Sequence, residues 1–225
     1  MGINLKSVSQ FVGTVALFFL ISAPVFSETV DISYQSAGTS AALNTSSGSV
    51  DAGLHEITID GNSSLAVNTS NSRTTGTWTA TINSYDDIQN GAGKYNSGRN
   101  GKEKYAKAGY LFGLLDLSES LSATTAKYNA LVNYVIWDIM GRVPDLNDRS
   151  DKRTVRALMK QANQNKGFDW STTMLVYTAD DRRTTREFFA PLPPIATPIP
   201  SALFLFGSMV LGLFGIVTRK RVTTD

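Results

Sequence analysis

Side chains able to do chemistry are few and scattered in this sequence. The chain has one histidine, His55, and no cysteine. That excludes thiol nucleophiles, disulfides, iron–sulfur clusters, Cys-based zinc sites and any multi-histidine metal site. His55 stands beside Glu56, a pairing a general base could use. The two sit in an alternating stretch with no G-x-S-x-G motif, so an ordinary strand histidine is the favoured reading. Carboxylates adjoin at Asp86-Asp87 and Asp180-Asp181. A glycosidase needs two facing carboxyl groups, whereas sequence neighbours diverge, and both pairs stand beside turn signals. Asp145-Leu146-Asn147-Asp148-Arg149-Ser150-Asp151 resembles a calcium loop in outline. It has Arg149 at a ligand position, Ser150 in place of glycine and no distal glutamate, and helix N-capping explains most of the same residues. Trp78, Trp137 and Trp170 offer faces for sugar stacking, but Trp137 falls within an apolar helix. No residue is assigned a catalytic, cofactor-binding or metal-binding role, and the expectation is a protein that is not an enzyme.

The segments that must position any site divide into three: residues 1–27, 28–192 and 193–225. The formal net charge of +2 arises at the ends. Of the 21 basic residues, Lys6, Arg219, Lys220 and Arg221 are terminal, and of the 19 acidic ones only Asp225 is. The central part is therefore within one charge of neutrality, which gives no support to nucleic-acid binding.

Residues 1–27 read as a cleaved signal peptide. Lys6 supplies a positive start, Phe11 to Ile21 is an apolar stretch too short to span a bilayer, and Pro24 breaks the helix. Val25 and Ser27 then stand at −3 and −1 of a cut between Ser27 and Glu28. At the other end, prolines cluster from Pro191 to Pro200, followed by an uncharged run from Ser201 to Thr218. As a helix this run extends about 27 Å, enough to cross the hydrocarbon layer. Arg219-Lys220-Arg221 follows at once, so residues 201–218 are expected to be a transmembrane helix with a cytoplasmic basic tail at 219–221 and the central domain outside.

A proline turn, an apolar helix with glycines and a basic cluster together resemble PEP-CTERM sorting signals. The run Thr197-Pro198-Ile199-Pro200-Ser201-Ala202-Leu203-Phe204-Leu205-Phe206-Gly207-Ser208 is similar to the variant in which P-x-P precedes an LFGS-type segment. Ile199 stands where the commonest form has glutamate. The resemblance implies Pro198, Ile199, Pro200, Arg219, Lys220 and Arg221 as signal residues. It also implies an exosortase as partner, in a Gram-negative, exopolysaccharide-making cell. The protein is then an inner-membrane precursor, held to lipid by its C-terminal helix, that passes to the cell surface or extracellular matrix.

The central domain reads as α+β, with strands at both ends around a buried central helix. Strands are expected at Thr29–Tyr34, His55–Asp60, Gly76–Ile82, Thr172–Thr178 and Arg186–Ala190. Ser36–Ser49 and Gly61–Thr75 are polar and read as loops, and a charged hairpin turn is expected at Asp180–Arg183. Helical spacing begins at Lys102, resumes after a Ser122 cap and runs to Met140 before Gly141, then recurs from Asp151 to Asn165. Ala130-Leu131-Val132-Asn133-Tyr134-Val135-Ile136-Trp137-Asp138-Ile139 is apolar almost all round, the mark of a buried helix. It is similar to the A-L-Q-x-A-I-W-type helix of other exported PEP-CTERM proteins and of Gram-positive thioester domains. The resemblance implies a like fold; without cysteine, no thioester forms. The leading functional expectation is a non-enzymatic surface or matrix protein, associated with exopolysaccharide or biofilm. Two alternatives stay open: a carbohydrate-binding module, and a carboxylate-based hydrolase acting on matrix polysaccharide.

Overall fold

The computed structural model describes residues 28–70, 76–98, 100–118, 120–141, 143–180 and 187–193. They form a mixed α/β structure: a closed six-stranded barrel, a separate two-stranded hairpin and four helices. The barrel strands are β1 (Thr29–Ser36), β4 (His55–Ile59), β5 (Asn62–Asn68), β6 (Thr77–Asn83), β7 (Met174–Ala179) and β8 (Glu187–Pro191). The hairpin is β2 (Ser40–Thr45) with β3 (Gly48–Gly53), and the helices are α1 (Tyr85–Gln89), α2 (Gly101–Phe112), α3 (Ala123–Met140) and α4 (Arg149–Gln164).

The ring order is β1-β4-β5-β8-β7-β6, and every neighbouring pair is antiparallel. Three antiparallel steps separate β1 from β8, so β1 begins and β8 ends at the same end of the barrel. Period-two alternation divides the strand residues between two cores. Val30, Ile32, Ile57, Ala66, Ala80, Tyr177, Phe188 and Ala190 fill the barrel. Their neighbours Val67, Met174, Val176 and Phe189 point outward and are equally buried, because the helices cover that wall. Phe188 and Phe189 are both 0% exposed although they face opposite ways. A strand buried on both faces reads as a continuous apolar run.

Helix α3 is the centre of the second core. Ser122 caps it, its side chain accepting from the Thr125 N–H, and every residue from Asn129 to Trp137 is buried. The strands do not surround this helix, as the sequence pattern suggests. It lies outside the closed barrel, against β2, β3, α2 and α4. Gly53 sits where the hairpin meets this helix and is required by its backbone and by the neighbouring strand. Its φ is +122°, and a Cβ there would stand 3.2 Å from Ser40 Cα and 3.7 Å from Ala130 Cα.

Several local expectations change. Ser36–Ser49 contains β2 and the start of β3, and the polar stretch after Gly61 is β5. Asp86 and Asp87 are not turn residues: they open α1, where Ser84 and Asp87 form a reciprocal capping box. Helix α4 is capped by Asp148, whose carboxylate accepts from the Ser150 and Asp151 N–H groups, rather than by Ser150 or Asp151. Gly141 ends α3 at φ −153°, outside the left-handed conformation usual for such a glycine. Among the described residues no helix is long and apolar enough to cross a membrane; residues 201–218 lie outside them.

Candidate functional site

A groove of about 360 Å³ opens between the second half of α3, the 143–148 loop and α4. Tyr134 and Asp138 are one turn apart on α3; Lys152, Val155 and Arg156 come from the first two turns of α4; Val143, Asp145 and Leu146 come from the loop. The loop is held at both sides. The Tyr134 hydroxyl donates to the Pro144 carbonyl at 2.6 Å. The hairpin turn reaches it from the other side: the Ser46 N–H donates to the Asp145 carbonyl at 2.7 Å, and the Asn147 N–H to the Asn44 carbonyl at 2.8 Å. The Asn147 amide adds a bond to the Thr45 carbonyl at 2.8 Å. Asp148 then starts α4 at a fixed point.

Charge is segregated within this frame. Asp138 and Asp145 lie on the α3 and loop side, Lys152 and Arg156 on α4, and among the described residues none of the four forms a salt bridge. Partial loss of hydration within the groove and the neighbouring Asp145 charge push the carboxyl of solvent-accessible Asp138 above its ordinary value. Burial, Asp138 and Asp145 likewise raise the Tyr134 phenol. Lys127 bonds instead to Asp151 at 2.7 Å, which ties the starts of α3 and α4 together and takes α4's own acid out of play. The arrangement presents hydrogen-bond acceptors on one wall, donors on the other and an aliphatic strip from Val143, Leu146 and Val155.

A second polar cluster is fully enclosed. Glu187, 0% exposed, faces the helices from β8. Its carboxylate accepts from the Lys94 N–H at 2.9 Å, the Thr178 hydroxyl at 2.6 Å and the Tyr105 hydroxyl at 2.8 Å. Asn83 donates to Thr178 at 2.9 Å, and a recess of about 150 Å³ lined by Thr81, Asn83, Thr178 and Asp180 lies alongside. Loss of hydration raises the Glu187 carboxyl above its usual range despite the three donors. The same burial, with the Glu187 charge, drives the Tyr105 phenol far upward. The network joins β8 and β7 to α2 and is a structural acid rather than an open site.

The residues weighed from sequence do not converge. His55 shares a strand face with Ile57 and lies with its Nδ1 3.4 Å from the Tyr34 hydroxyl, while exposed Glu56 accepts from the Ser36 hydroxyl at 3.2 Å on the other face. Trp78 stacks on Phe188 at a centroid distance of 5.5 Å, Trp170 meets Tyr85 edge-on, and Trp137 lies within the helical core. They form no common platform. Of the calcium-like run, Asp145 enters the groove, Asp148 caps and Asp151 pairs with Lys127. Among the described residues no group of three or more His, Asp or Glu side chains could hold a metal ion. Asp180 accepts from the Thr81 hydroxyl at 3.2 Å, and Asp181 lies outside the described residues.

Ser27, Pro198, Ile199, Pro200, Arg219, Lys220 and Arg221 lie outside them too, while Glu28 is the first described residue and is exposed. Sequence reasoning missed Tyr134, Asp138, Lys152 and Arg156 as a set. One signal was available: Asp138 is the sole charged residue between Ala130 and Met140. No family model matches the chain, and no match is found among curated proteins or solved structures.

Proposed function

We propose that this chain is a non-enzymatic exported protein, inserted in the inner membrane as a precursor and sorted by an exosortase to the cell surface or extracellular matrix, where it associates with exopolysaccharide. The observation that carries the reading is the order Pro198-Ile199-Pro200, uncharged residues 201–218, then Arg219-Lys220-Arg221. Hydrophobic insertion accounts for the last two parts and has no use for the first. Proline is excluded from a helix interior and biases the residue before it to extended geometry, so P-x-P presents an extended strand just outside the bilayer, as a protease cleft requires.

The deciding experiment replaces Pro198 and Pro200 together by alanine. The variant is expected to accumulate as uncut precursor in the inner membrane. Processing and surface display like wild type would reduce the segment to an ordinary anchor and overturn the reading. A second reading, in which the exported domain itself holds matrix polysaccharide, is favoured by the charge-segregated groove.

A further inference from the structure

The geometry points to a binding site, in the groove between α3 and α4, for a saccharide unit that carries both a protonated amine and a carboxylate. The groove's volume, about 360 Å³, falls within the range of roughly 300–1,000 Å³ common to small-ligand sites. Its distinctive feature is that opposite charges share one concavity and do not pair across it. Exposed ion pairs are worth at most about 1 kcal/mol, so leaving these four charges unpaired costs little and keeps them open to a ligand. The backbone that carries them is held in a fixed frame. Tyr134 holds Pro144, the β2–β3 turn holds Asp145 and Asn147, and Lys127 is committed to Asp151.

Each wall asks for a different group. Asp138 and Asp145 repel one another, so an ammonium group placed between them relieves that repulsion and gains charge-assisted hydrogen bonds. Lys152 and Arg156 are one turn apart on α4, and the Arg156 guanidinium can grip a carboxylate with two parallel bonds. A neutral sugar could bond both walls through its hydroxyls but would leave the charge on each wall uncompensated. The Tyr134 hydroxyl donates to Pro144 and has only its acceptor oxygen left for a ligand. Between the walls, Val143, Leu146 and Val155 offer a surface for the C–H face of a ring. The zwitterion rests on the groove alone, whereas the choice of a saccharide as its bearer rests on the proposed association with exopolysaccharide.

The test measures binding to the full-length chain in detergent micelles by titration calorimetry at about pH 6, below the ordinary range of an amine. The probes are muramic acid, which has amine, carboxylate and ring, N-acetylmuramic acid, which lacks the amine, glucosamine, which lacks the carboxylate, and alanine, which lacks the ring. Muramic acid is expected to bind at least about tenfold more tightly than each of the others. Asp138→Asn should abolish its preference over N-acetylmuramic acid, and Arg156→Gln its preference over glucosamine. Both positions are exposed, so an unchanged melting curve verifies that each variant is folded. Equal binding of the three sugars, or variants that bind like wild type, overturns the proposal. Alanine binding more tightly than muramic acid overturns the saccharide class. Processing of the Pro198 and Pro200 variant is read separately, so an empty groove leaves the sorting reading standing and a failed sorting test leaves the groove.

Discussion

Trp137 donates its indole N–H to both oxygens of Asn68, at 3.0 Å to the carbonyl and 2.7 Å to the side chain, joining the middle of the helical core to the last residue of β5. One turn earlier on the same helix, Asn133 donates to the Asn68 carbonyl at 2.9 Å and accepts from the Gly53 N–H at 3.1 Å. Barrel, hairpin and helix therefore meet at one small cluster of buried amides. Trp137→Ala is expected to cost about 3–5 kcal/mol, as large-to-small core changes do, and also to leave the Asn68 side-chain oxygen without this donor, while Asn133 still serves the carbonyl. Trp137→Phe keeps most of the volume and should cost less. Chemical denaturation gives both numbers, and a midpoint near wild type for the alanine variant would show that α3 is not the core.

Asn133→Leu tests the polar half of that cluster. Leucine matches asparagine in branching and heavy-atom count and suits the apolar surroundings, so a purely hydrophobic account predicts little change or a gain. The hydrogen bonds predict the opposite. A Gly53 N–H and one of the bonds to the Asn68 carbonyl are lost in a fully buried setting, at a cost of about 1–3 kcal/mol for each group left unpaired. A destabilised variant, measured by the same denaturation, supports the hydrogen-bond account.

Gly109→Ala sets helix propensity against packing. Within α2, alanine should gain up to about 1 kcal/mol over glycine. A Cβ at that position would come within 2.6 Å of Trp170 Cβ and Cγ, and Trp170 is 0% exposed with no room to retreat. Overpacking of this kind costs about 1–3 kcal/mol, so a lower melting temperature is expected, and a higher one would mean that the indole moves aside.

Much of the helical layer can be read from the sequence because helices carry local signals. Ser122 before an apolar run and the spacing of Val155, Leu158, Met159 and Ala162 locate α3 and α4. Strands with large alternating residues, such as β1 and β4, are equally plain. β2, β3 and β5 are not, because Ser, Thr, Ala, Gly and Asn give no period and gain their pairing only from the assembled ring. Asp60-Gly61 was a usable hairpin cue: Asp60 has φ +48° and Gly61 φ +80° at the β4–β5 turn. The groove was hidden for a different reason. Its charges come from α3, a loop and α4, and no spacing in the chain reveals that Asp138, Asp145, Lys152 and Arg156 share one concavity.

If the chain is exported as proposed, its mature form is expected to begin at Glu28. Pro24 ends the apolar stretch, and Val25 and Ser27 stand at −3 and −1. Strand β1 opens at Thr29, one residue beyond the expected cut. Terminal sequencing of the exported protein decides the matter, and an intact Met1 in the membrane fraction would mean that the segment remains as an anchor.

Glu187 should leave its mark on the pH dependence of stability. Its carboxyl is raised above the ordinary 4.5 because burial removes hydration and outweighs the donors Lys94, Thr178 and Tyr105. Between 4.5 and that raised value the folded chain holds a proton that the unfolded chain has released. The contribution of this group is therefore fully present below 4.5 and is lost as the pH rises through the folded value. Exposed Asp116 is shifted the other way by the Ser118 hydroxyl and N–H, Asp148 by the Asp151 and Ser150 N–H groups, and Asp169 by the Ser171 N–H and hydroxyl, so the total curve mixes both signs. Glu187→Gln isolates the effect, since it cannot ionise. Unfolding free energies of wild type and variant, measured from about pH 4 to 8, should differ by a term that moves against wild type as the pH rises. A constant difference across that range would mean that the three donors keep the carboxylate ionised, and that the acid is held by its hydrogen bonds rather than neutralised by its burial.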